Sequence, residues 1–355
     1  MHRPLIKGLM TGLAGCAAAA VLVVSSEGSG AAAASADGTE LAVAGADSRG
    51  ARIFTKVWTA GDGLGPLANA QSCAACHSTP RAGGAGGREA NAMVLVSDEE
   101  RDDTGGHLFR RLWIRPGHAV VQRPLPRRVS RRRAPSLFGV GLLERVPLRE
   151  IAARVDGLDS EGDGISGRMP VGQGRFGWKS RFTSLEQAVA AALSNELGIS
   201  SALFHGPQSG PAEITGDDLR DLVQFVQALP APAAADLAPP STGAAVFRRA
   251  GCTACHDPRV APRASRPPYT DLLLHDMGPE FAEAFPDGDA TGAEFRTAPL
   301  WGLAASGPPY LHDGRAATLH EAIVGHGGEA TTSRLRYERL PASERRALRL
   351  FLKSL

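Results

Sequence analysis

The sequence has few aromatic side chains and no large excess of charge of either sign. Phe, Trp and Tyr together make up 5% of its 355 residues, whereas glycine (42) and proline (25) are abundant. This composition favours long loops over a large aliphatic core, and the length suggests two domains. The 39 basic and 37 acidic residues leave a net charge of +2, so no overall field favours nucleic acid as a partner.

Cysteine is also scarce, and four of the five cysteines fall in two copies of one pattern. The strings are CAACH, from Cys73 to His77, and CTACH, from Cys252 to His256. C-x-x-C-H is the attachment signature of a c-type haem: two thiols bond to the haem vinyl groups, and the adjacent imidazole binds the iron. The sequence therefore predicts two covalently bound haems, attached through Cys73, Cys76, Cys252 and Cys255, with His77 and His256 as iron ligands.

Zinc is the alternative reading of two C-x-x-C motifs, since such pairs also form structural zinc sites. Here 252 − 73 = 179 residues separate the motifs, whereas zinc-binding pairs usually lie within a few tens of residues. A His directly after each second cysteine also has no role in a four-cysteine site. Spacing and composition therefore favour haem over zinc.

The N-terminus has the features of an export signal. Basic residues precede an apolar run over residues 8–24, and small residues at 34–36 precede Asp37. We expect a signal peptide over residues 1–36 and a periplasmic or otherwise exported protein, which agrees with haem attachment outside the cytoplasm. Residues 13–16, LAGC, also resemble a lipobox, and Cys16 would then anchor the protein to a membrane. The apolar run continues through Cys16, which favours ordinary cleavage.

Helical patterns dominate the rest of the chain, and strand-like alternation is scarce. Apolar stripes predict helices over 185–197 and 215–229 and after Pro341, while residues 230–240 indicate a Pro- and Ala-rich linker. We predict a mainly α fold, with two cytochrome c-like haem domains and long loops. The N-terminal haem domain would span 37–235 and the C-terminal one 236–355.

Several longer strings carry a family resemblance that runs from about residue 50 to the end. They are GWKSRF (177–182), YTDLLLHDMG (269–278), TAPLWGL (297–303), LHDGRAATLHEAIVGHGGEA (311–330) and the final FLKSL. The chain thereby resembles the di-haem oxidoreductase family, also called thiol-oxidoreductase-like and described as peroxidases. The layout is more distantly similar to bacterial diheme cytochrome c peroxidases and to the diheme enzyme that matures methylamine dehydrogenase.

The resemblance implies a second ligand for the C-terminal haem. In the peroxidases, a segment like LHDGRAATLHEA is followed by a Met that ligates this haem. His326 falls at that place, so the haem would be ligated by His256 and His326. A second imidazole in place of Met lowers the reduction potential. His275 and Met277 are the alternative ligands.

The resemblance also suggests a catalytic group at the N-terminal haem. Residues 135–155 resemble the peroxidase segment that carries a distal glutamate, and Glu144 falls at or beside that position. A carboxylate above an open iron would transfer a proton during O–O cleavage. The glutamine that accompanies it in the peroxidases has no clear match. In the alternative interpretations, Glu144 is a surface residue at a helix start, or His107 or His118 binds the iron and closes that site.

A calcium site is a further expectation. Asp159, Glu161 and Asp163, followed by Gly164, resemble the first half of a calcium loop, although Pro170 stands where the bidentate acid belongs. Related peroxidases bind calcium between their domains, and an ordinary acidic turn is the alternative.

Two function classes fit these observations. The first is an exported diheme oxidoreductase with peroxidase-like chemistry at the N-terminal haem and electron transfer through the C-terminal haem. The second is a non-catalytic electron-transfer cytochrome. Either needs a small redox protein or another electron donor or acceptor, and the first also needs an oxidant such as peroxide.

Trp178 and Trp301 are core residues or electron relays. A basic cluster is either a solvated loop or a docking site for an acidic redox partner: Arg123, Arg127, Arg128, Arg131, Arg132 and Arg133.

We predict two covalent haems per chain. The mass of the mature protein and the pyridine haemochrome stoichiometry measure this number directly, and one haem or tightly bound zinc would contradict the prediction. Replacing both Cys73 and Cys76 by Ala should remove one haem and leave the spectrum of the other largely unchanged.

Overall fold

Short amphipathic helices form most of the fold, which confirms the mainly α prediction. The computed structural model describes residues 47–87, 93–96, 108–126, 129–204, 212–233, 241–261 and 266–355. Its helices are α1 (Arg49–Thr55), α2 (Cys73–Cys76), α3 (Val140–Glu144), α4 (Leu148–Ala152), α5 (Leu185–Ala192), α6 (Gly216–Ala228), α7 (Ser241–Arg249), α8 (Leu303–Ser306), α9 (Leu319–Val324), α10 (Thr331–Glu338) and α11 (Ala342–Ser354).

Helix boundaries follow the local signals in the sequence. The Thr215 hydroxyl accepts a hydrogen bond from the Asp218 amide at 3.1 Å and so caps α6. Ser184 caps α5 through the Gln187 amide at 3.2 Å. The predicted helix over 185–197 changes character at its end, because residues Leu193–Leu197 form a π-helical turn that stops at Gly198.

Strands are short and lie mainly between residues 67 and 132. The strands are β1 (Leu67–Ala68), β2 (Met93–Val96), β3 (Leu108–Phe109), β4 (Leu112–Trp113), β5 (Val121–Gln122), β6 (Val129–Arg132), β7 (Leu274–Asp276) and β8 (Glu294–Arg296). They pair in the orders β1-β4-β5, β3-β2-β6 and β7-β8, and every pairing is antiparallel. In the third sheet His275 lies opposite Phe295.

The first haem motif is preceded by a helix that crosses α6 in close contact. At Gly50 in α1, a Cβ atom would lie 2.0 Å from the Asp221 carbonyl oxygen and 2.7 Å from Phe225 Cβ. Only glycine permits this approach of the two backbones. Phe54, one turn after Gly50, lies with its ring centroid 5.2 Å from Phe225 and 6.4 Å from His77.

The second haem motif repeats this arrangement. At Gly243 in α7, a Cβ atom would lie 2.4 Å from the Ala347 carbonyl oxygen and 2.6 Å from Phe351 Cβ. Phe247, again four residues after the glycine, lies 5.5 Å from Phe351 and 6.4 Å from His256. The chain therefore contains two equivalent units, each a Gly-x-x-x-Phe helix packed on a longer helix beside a C-x-x-C-H motif.

Two hydrophobic clusters surround these helix pairs. The first contains Phe54, Leu222 and Phe225, and the partly buried Cys73 and Cys76 pack against it. The second contains Phe247, Tyr337, Leu348 and Phe351, with Cys252 against it. Trp301 belongs to the first cluster although it follows the second haem motif in sequence. Each cluster includes a C-x-x-C-H motif at its edge, so both motifs have apolar surroundings.

Some predictions concern residues outside the described ranges. The signal peptide 1–36, Cys16 and the predicted domain boundary between residues 235 and 236 all lie there. Residues 42–355 cluster as one compact unit, and the division into domains 37–235 and 236–355 stays a prediction. None of the helices in the described part of the chain has the length and apolar character needed to cross a bilayer.

Gly50→Ala and Gly243→Ala should each destabilise the protein by about 1–3 kcal/mol, because the added methyl group would force two packed helices apart. Gly216→Ala is the matched control, since a Cβ at this helical position meets no atom within 4 Å. Denaturant-induced unfolding followed by circular dichroism measures all three. A Gly50→Ala protein as stable as the Gly216→Ala control would contradict the close packing.

Candidate haem sites

Both cysteine pairs present their thiols on single turns of helix. Cys73 and Cys76 begin and end α2, which Ser72 caps through the Ala75 amide at 3.1 Å. Cys252 begins the 3₁₀ turn Cys252–Ala254, and Cys255 follows it directly. No disulfide joins these four cysteines. Burial raises the pKa of Cys73, Cys76 and Cys252 to about 12.

The histidine of each motif has one ring nitrogen engaged by the backbone. His77 Nδ1 lies 3.0 Å from the Pro135 carbonyl oxygen and 3.3 Å from that of Gly84. His256 Nδ1 lies 3.0 Å from the Tyr269 carbonyl oxygen. A carbonyl accepts only from N–H, so Nδ1 carries the proton and Nε2 keeps its lone pair. This is the tautomer that binds a metal through Nε2.

The electrostatics of both histidines favour the neutral ring. Burial lowers the pKa of His77 below its usual range. Burial, with the charge of His326 as a second cause, lowers the pKa of His256 to about 4. A neutral imidazole beside two unbonded thiols in apolar surroundings is the donor set of haem c, so the residues at both motifs fit that group.

His326 shares this hydrogen-bond pattern. Its Nδ1 lies 2.7 Å from the Ala322 carbonyl oxygen, which again leaves Nε2 free to bind iron. The ring follows helix α9, and its charge acts on His256. His326 therefore has a ligand atom available, and its ligation of the same haem as His256 stays a prediction.

His275, the alternative ligand, is engaged on both sides of its ring. Nδ1 lies 2.6 Å from Glu329 Oε2, and Nε2 lies 2.8 Å from Asp271 Oδ2. Although burial opposes charge here, the hydrogen bonds to Asp271 and Glu329 raise the pKa of His275 above its usual range. Neither nitrogen is free for iron, so the geometry favours His326. Met277, the other alternative, is half-buried beside Gly327.

Glu144 has a capping role in the structure. Its Oε1 accepts from the Leu185 amide at 2.8 Å, at the start of α5, and its Oε2 accepts from Gln227 Nε2 at 2.6 Å. Arg175 also donates to the Glu144 backbone carbonyl at 3.1 Å. A carboxylate with both oxygens engaged at a helix N-terminus stabilises that helix. Its proposed catalytic role stays a prediction that this geometry does not favour.

A different glutamate lies at the first haem motif. Glu196 is in the π-helical turn after α5, and its charge helps raise the pKa of Cys76. Asn69 Nδ2 donates to Glu196 Oε2 at 2.7 Å, while the buried Oε1 has no hydrogen-bond partner among the described residues. Burial raises the pKa of Glu196, and the charges of Arg110 and Arg111 oppose that shift.

Glu196 was absent from the sequence-based assignments because it ends an apolar helical stripe. One signal was present: an acidic residue in the last turn before Gly198 opposes the helix dipole. A π-helical turn is itself a feature often found at functional sites. Glu196 is thus a buried carboxyl group with one oxygen lacking a partner among the described residues, and it is hydrogen-bonded to Asn69, four residues before Cys73.

The other predicted residues at the first haem are differently placed. His118 is exposed in a turn closed by its amide bond to the Arg115 carbonyl at 3.1 Å, so it does not face a buried iron site. His107 lies outside the described residues.

The acidic loop binds its own backbone. Asp159 accepts from the amides of Asp163 and Gly164 at 2.9 and 3.1 Å, and Asp163 accepts from the Ile165 amide at 2.9 Å. The oxygens of Asp159, Glu161 and Asp163 are not a convergent ligand set: within the described ranges, such a group forms only at Cys255, Asp271 and His275. Calcium binding at this loop stays a prediction.

Part of the arginine cluster is buried. Arg132 and Arg133 are each 8% exposed, and Arg132 forms ion pairs with Glu283 and Asp287 at 2.6 Å. These two arginines are therefore structural, which corrects the expectation that the whole cluster is a solvated or docking surface. Arg127 and Arg128 lie outside the described residues.

Arg133 connects the surroundings of the first motif to His312 and Trp178. Arg133 Nη2 donates to the Gly86 carbonyl at 3.0 Å, and a Cβ atom on Gly86 would lie 2.7 Å from the Cys76 carbonyl oxygen. The Arg133 amide donates to the His312 carbonyl at 2.8 Å, and its own carbonyl accepts from Trp178 Nε1 at 3.0 Å. Trp178 is half-buried in this segment, whereas Trp301 is a core residue.

Comparison with protein families matches residues 205–355 to the family described as "Di-haem oxidoreductase, putative peroxidase". Over these residues the chain is similar to the di-haem oxidoreductase family, which confirms the resemblance inferred from the sequence. The family's description names an oxidoreductase with two haems. The comparison with curated proteins gave no match.

Solved structures with low sequence identity also align with the chain. Hydrazine synthase of Kuenenia stuttgartiensis is 17% identical, with 95% of this chain and 100% of that chain covered and a TM-score of 0.43. The diheme peroxidase BthA of Burkholderia thailandensis E264 is 18% identical, covering 86% and 84%, with a TM-score of 0.44. A MauG-like protein associated with microbial copper homeostasis is 16% identical, covering 66% and 95%, with a TM-score of 0.35.

Proposed function

We propose that the protein is an exported diheme c-type oxidoreductase that reduces a peroxide at its N-terminal haem and receives electrons through its C-terminal haem. The observation that carries this proposal is the difference between two otherwise equivalent haem motifs. A buried carboxyl group, Glu196, is hydrogen-bonded to Asn69, four residues before Cys73, and its Oε1 has no partner among the described residues. A second imidazole with a free Nε2, His326, lies near His256.

The chain's own residues would hold each haem in the same way. Cys73 and Cys76, and likewise Cys252 and Cys255, would form the thioether bonds, while the Nε2 atoms of His77 and His256 would bind iron. When bound, each haem supplies an iron that exchanges electrons, and an iron with an open face also binds small oxidants. The carbonyls of Pro135 and Tyr269 fix the two imidazole rings in the required orientation.

Glu196 would transfer the proton at the N-terminal haem. Reductive cleavage of an O–O bond requires a proton on the departing oxygen, and burial favours the protonated form of this carboxyl group. Asn69 donates to Oε2 and so orients the group, leaving Oε1 available to hold or move the proton. After each turnover the Glu196 carboxylate would take a proton from solvent and become protonated again.

His326 would make the C-terminal haem an electron-transfer centre. Two imidazole ligands close both faces of an iron, which excludes an oxidant and lowers the potential relative to His/Met ligation. Electrons from a small redox protein or another donor would enter there. Trp178, whose Nε1 donates to the Arg133 carbonyl, would serve as a relay between the two haems.

Export and covalent attachment belong to the same proposal. The predicted signal over residues 1–36 would take the chain to the periplasm, where C-x-x-C-H motifs receive haem; a lipid anchor at Cys16 is the alternative. The acidic loop with Asp159, Glu161 and Asp163 would bind calcium only if its carboxylates turned away from the amides they now accept from.

Glu196→Gln should lower peroxide turnover by about 10²–10⁴-fold, because the amide keeps the size of the side chain but cannot transfer the proton. Stopped-flow kinetics with hydrogen peroxide and an artificial electron donor measure this rate, and the haem spectrum confirms that both haems stay bound. Glu186→Gln, on the exposed side of α5, is the matched control and should retain normal turnover.

Glu144→Gln distinguishes the two carboxylates. If Glu144→Gln abolishes turnover while Glu196→Gln does not, the proton-transfer role belongs to Glu144, as the sequence resemblance implied. If the unmodified protein does not react with peroxide under any reductant, the peroxidase proposal fails and the electron-transfer cytochrome takes its place.

A further inference from the structure

Glu329 lies three residues after His326, and both oxygens of its carboxylate accept hydrogen bonds. Oε2 accepts from His275 Nδ1 at 2.6 Å and from the Ser166 amide at 3.0 Å. Oε1 accepts from the Asp276 amide at 3.0 Å and from the Ser166 hydroxyl at 3.1 Å. The side chain is 11% exposed. One carboxylate thus connects the segment after His326 to strand β7 and to the loop before Gly167.

His275 fixes the other side of this connection. Its side chain is 4% exposed, and its Nε2 lies 2.8 Å from Asp271 Oδ2. Asp271 is itself oriented by the Leu273 amide, which donates to Oδ1 at 2.9 Å. His275 Nδ1 also lies 3.7 Å from the Sγ atom of Cys255, the second cysteine of the second haem motif. Gly167 leaves room for the ring, since a Cβ there would lie 2.7 Å from His275 Cε1.

The backbone after His326 packs directly on the backbone after β7. A Cβ atom on Gly328 would lie 2.1 Å from the Asp276 carbonyl oxygen and 2.5 Å from the Gly278 nitrogen. On Gly327 it would lie 2.9 Å from the Met277 carbonyl oxygen. Residues 327–329 are therefore held by close backbone contact as well as by the Glu329 carboxylate.

We propose that Glu329 and His275 form a clamp that positions His326 over the C-terminal haem. The clamp holds the segment that carries His326 against the strand that contacts Cys255, so the attachment side and the distal side of this haem share one rigid connection. Glu329 is thus a positioning residue that acts through His326. This inference rests on the proposed ligation of the C-terminal haem by His326.

The hydrogen bond between Glu329 and His275 in this clamp is charge-assisted. Although burial opposes its ionisation, the hydrogen bond from His275 is the main cause that lowers the pKa of Glu329, so the bond joins a carboxylate to an imidazolium. Charge-assisted bonds of this kind are about twice as strong as neutral ones. Loss of the Glu329 charge should therefore loosen the segment far more than loss of the partly exposed ion pair in the helix that follows, α10.

Competition by free imidazole measures how firmly His326 is held. Imidazole can bind the ferric C-terminal haem only after His326 leaves, so its apparent dissociation constant rises with the strength of His326 ligation. In the holoprotein, Glu329→Gln should tighten the apparent binding of imidazole about tenfold or more, through the lost charge-assisted bond. Optical titration gives the constant, and electron paramagnetic resonance assigns it to a haem. Glu338→Gln, which breaks a partly exposed pair with Arg334 in α10, is the matched control and should leave the constant unchanged.

His326→Ala separates this proposal from the one on which it rests. If His326→Ala binds imidazole no more tightly than the unmodified protein, His326 is not the ligand and the proposed ligation fails. If it binds more tightly but Glu329→Gln does not, the ligation stands and the clamp is overturned. In the His326→Ala background, Glu329→Gln should have no effect, whereas a residue that only supported the fold would still change the constant.

Ser166→Ala is the milder test of the same clamp. It removes one hydrogen bond to Glu329 and leaves the ion pair with His275 intact. If Glu329→Gln does not fold, Ser166→Ala should still tighten imidazole binding by about twofold to fivefold, as expected for one neutral hydrogen bond. An unchanged constant in Ser166→Ala would then contradict the proposal.

Discussion

One hydrogen bond, from ring Nδ1 to a backbone carbonyl, recurs at three histidines and determines what they can bind. At His77, His256 and His326 the acceptors are the carbonyls of Pro135, Tyr269 and Ala322. Each bond fixes the tautomer and leaves Nε2 as a ligand atom. At His275 both nitrogens face carboxylates, and the same ring becomes a charged structural group.

The two haem motifs are built alike and then differ on the far side. Each has a Gly-x-x-x-Phe helix in backbone contact with a longer helix. In each, the centroid of the phenylalanine ring lies 6.4 Å from that of the motif histidine. Beyond this common frame, the first motif has a buried carboxylate and the second has an additional imidazole. The proposed reactive centre and the proposed electron-transfer centre would thus share one repeated frame and differ in a few side chains.

Much of this arrangement could be predicted from the sequence, because the signals are local. The two C-x-x-C-H motifs, the cap at Thr215 and the helix after Pro341 each depend on neighbouring residues, and the structure has both helices where they were expected. The proposed role of His326 rests on a long string with a family resemblance and stays a prediction.

The features that were missed depend on contacts between distant parts of the chain. Glu144 and Glu196 are both glutamates near helices, and only the structure shows that Leu185 and Gln227 engage both oxygens of the first. The burial of Arg132 likewise depends on Glu283, which lies 283 − 132 = 151 residues further on. The repeat of Gly50 and Gly243 became visible only through the helices that they contact.

Electron paramagnetic resonance of the fully oxidised protein tests the central claim most directly. An open iron at the N-terminal haem and two imidazoles at the C-terminal haem predict one high-spin signal and one low-spin signal of equal intensity. Two low-spin signals would show that both irons are closed and would contradict a reactive N-terminal haem. Two high-spin signals would contradict ligation of the C-terminal haem by His326.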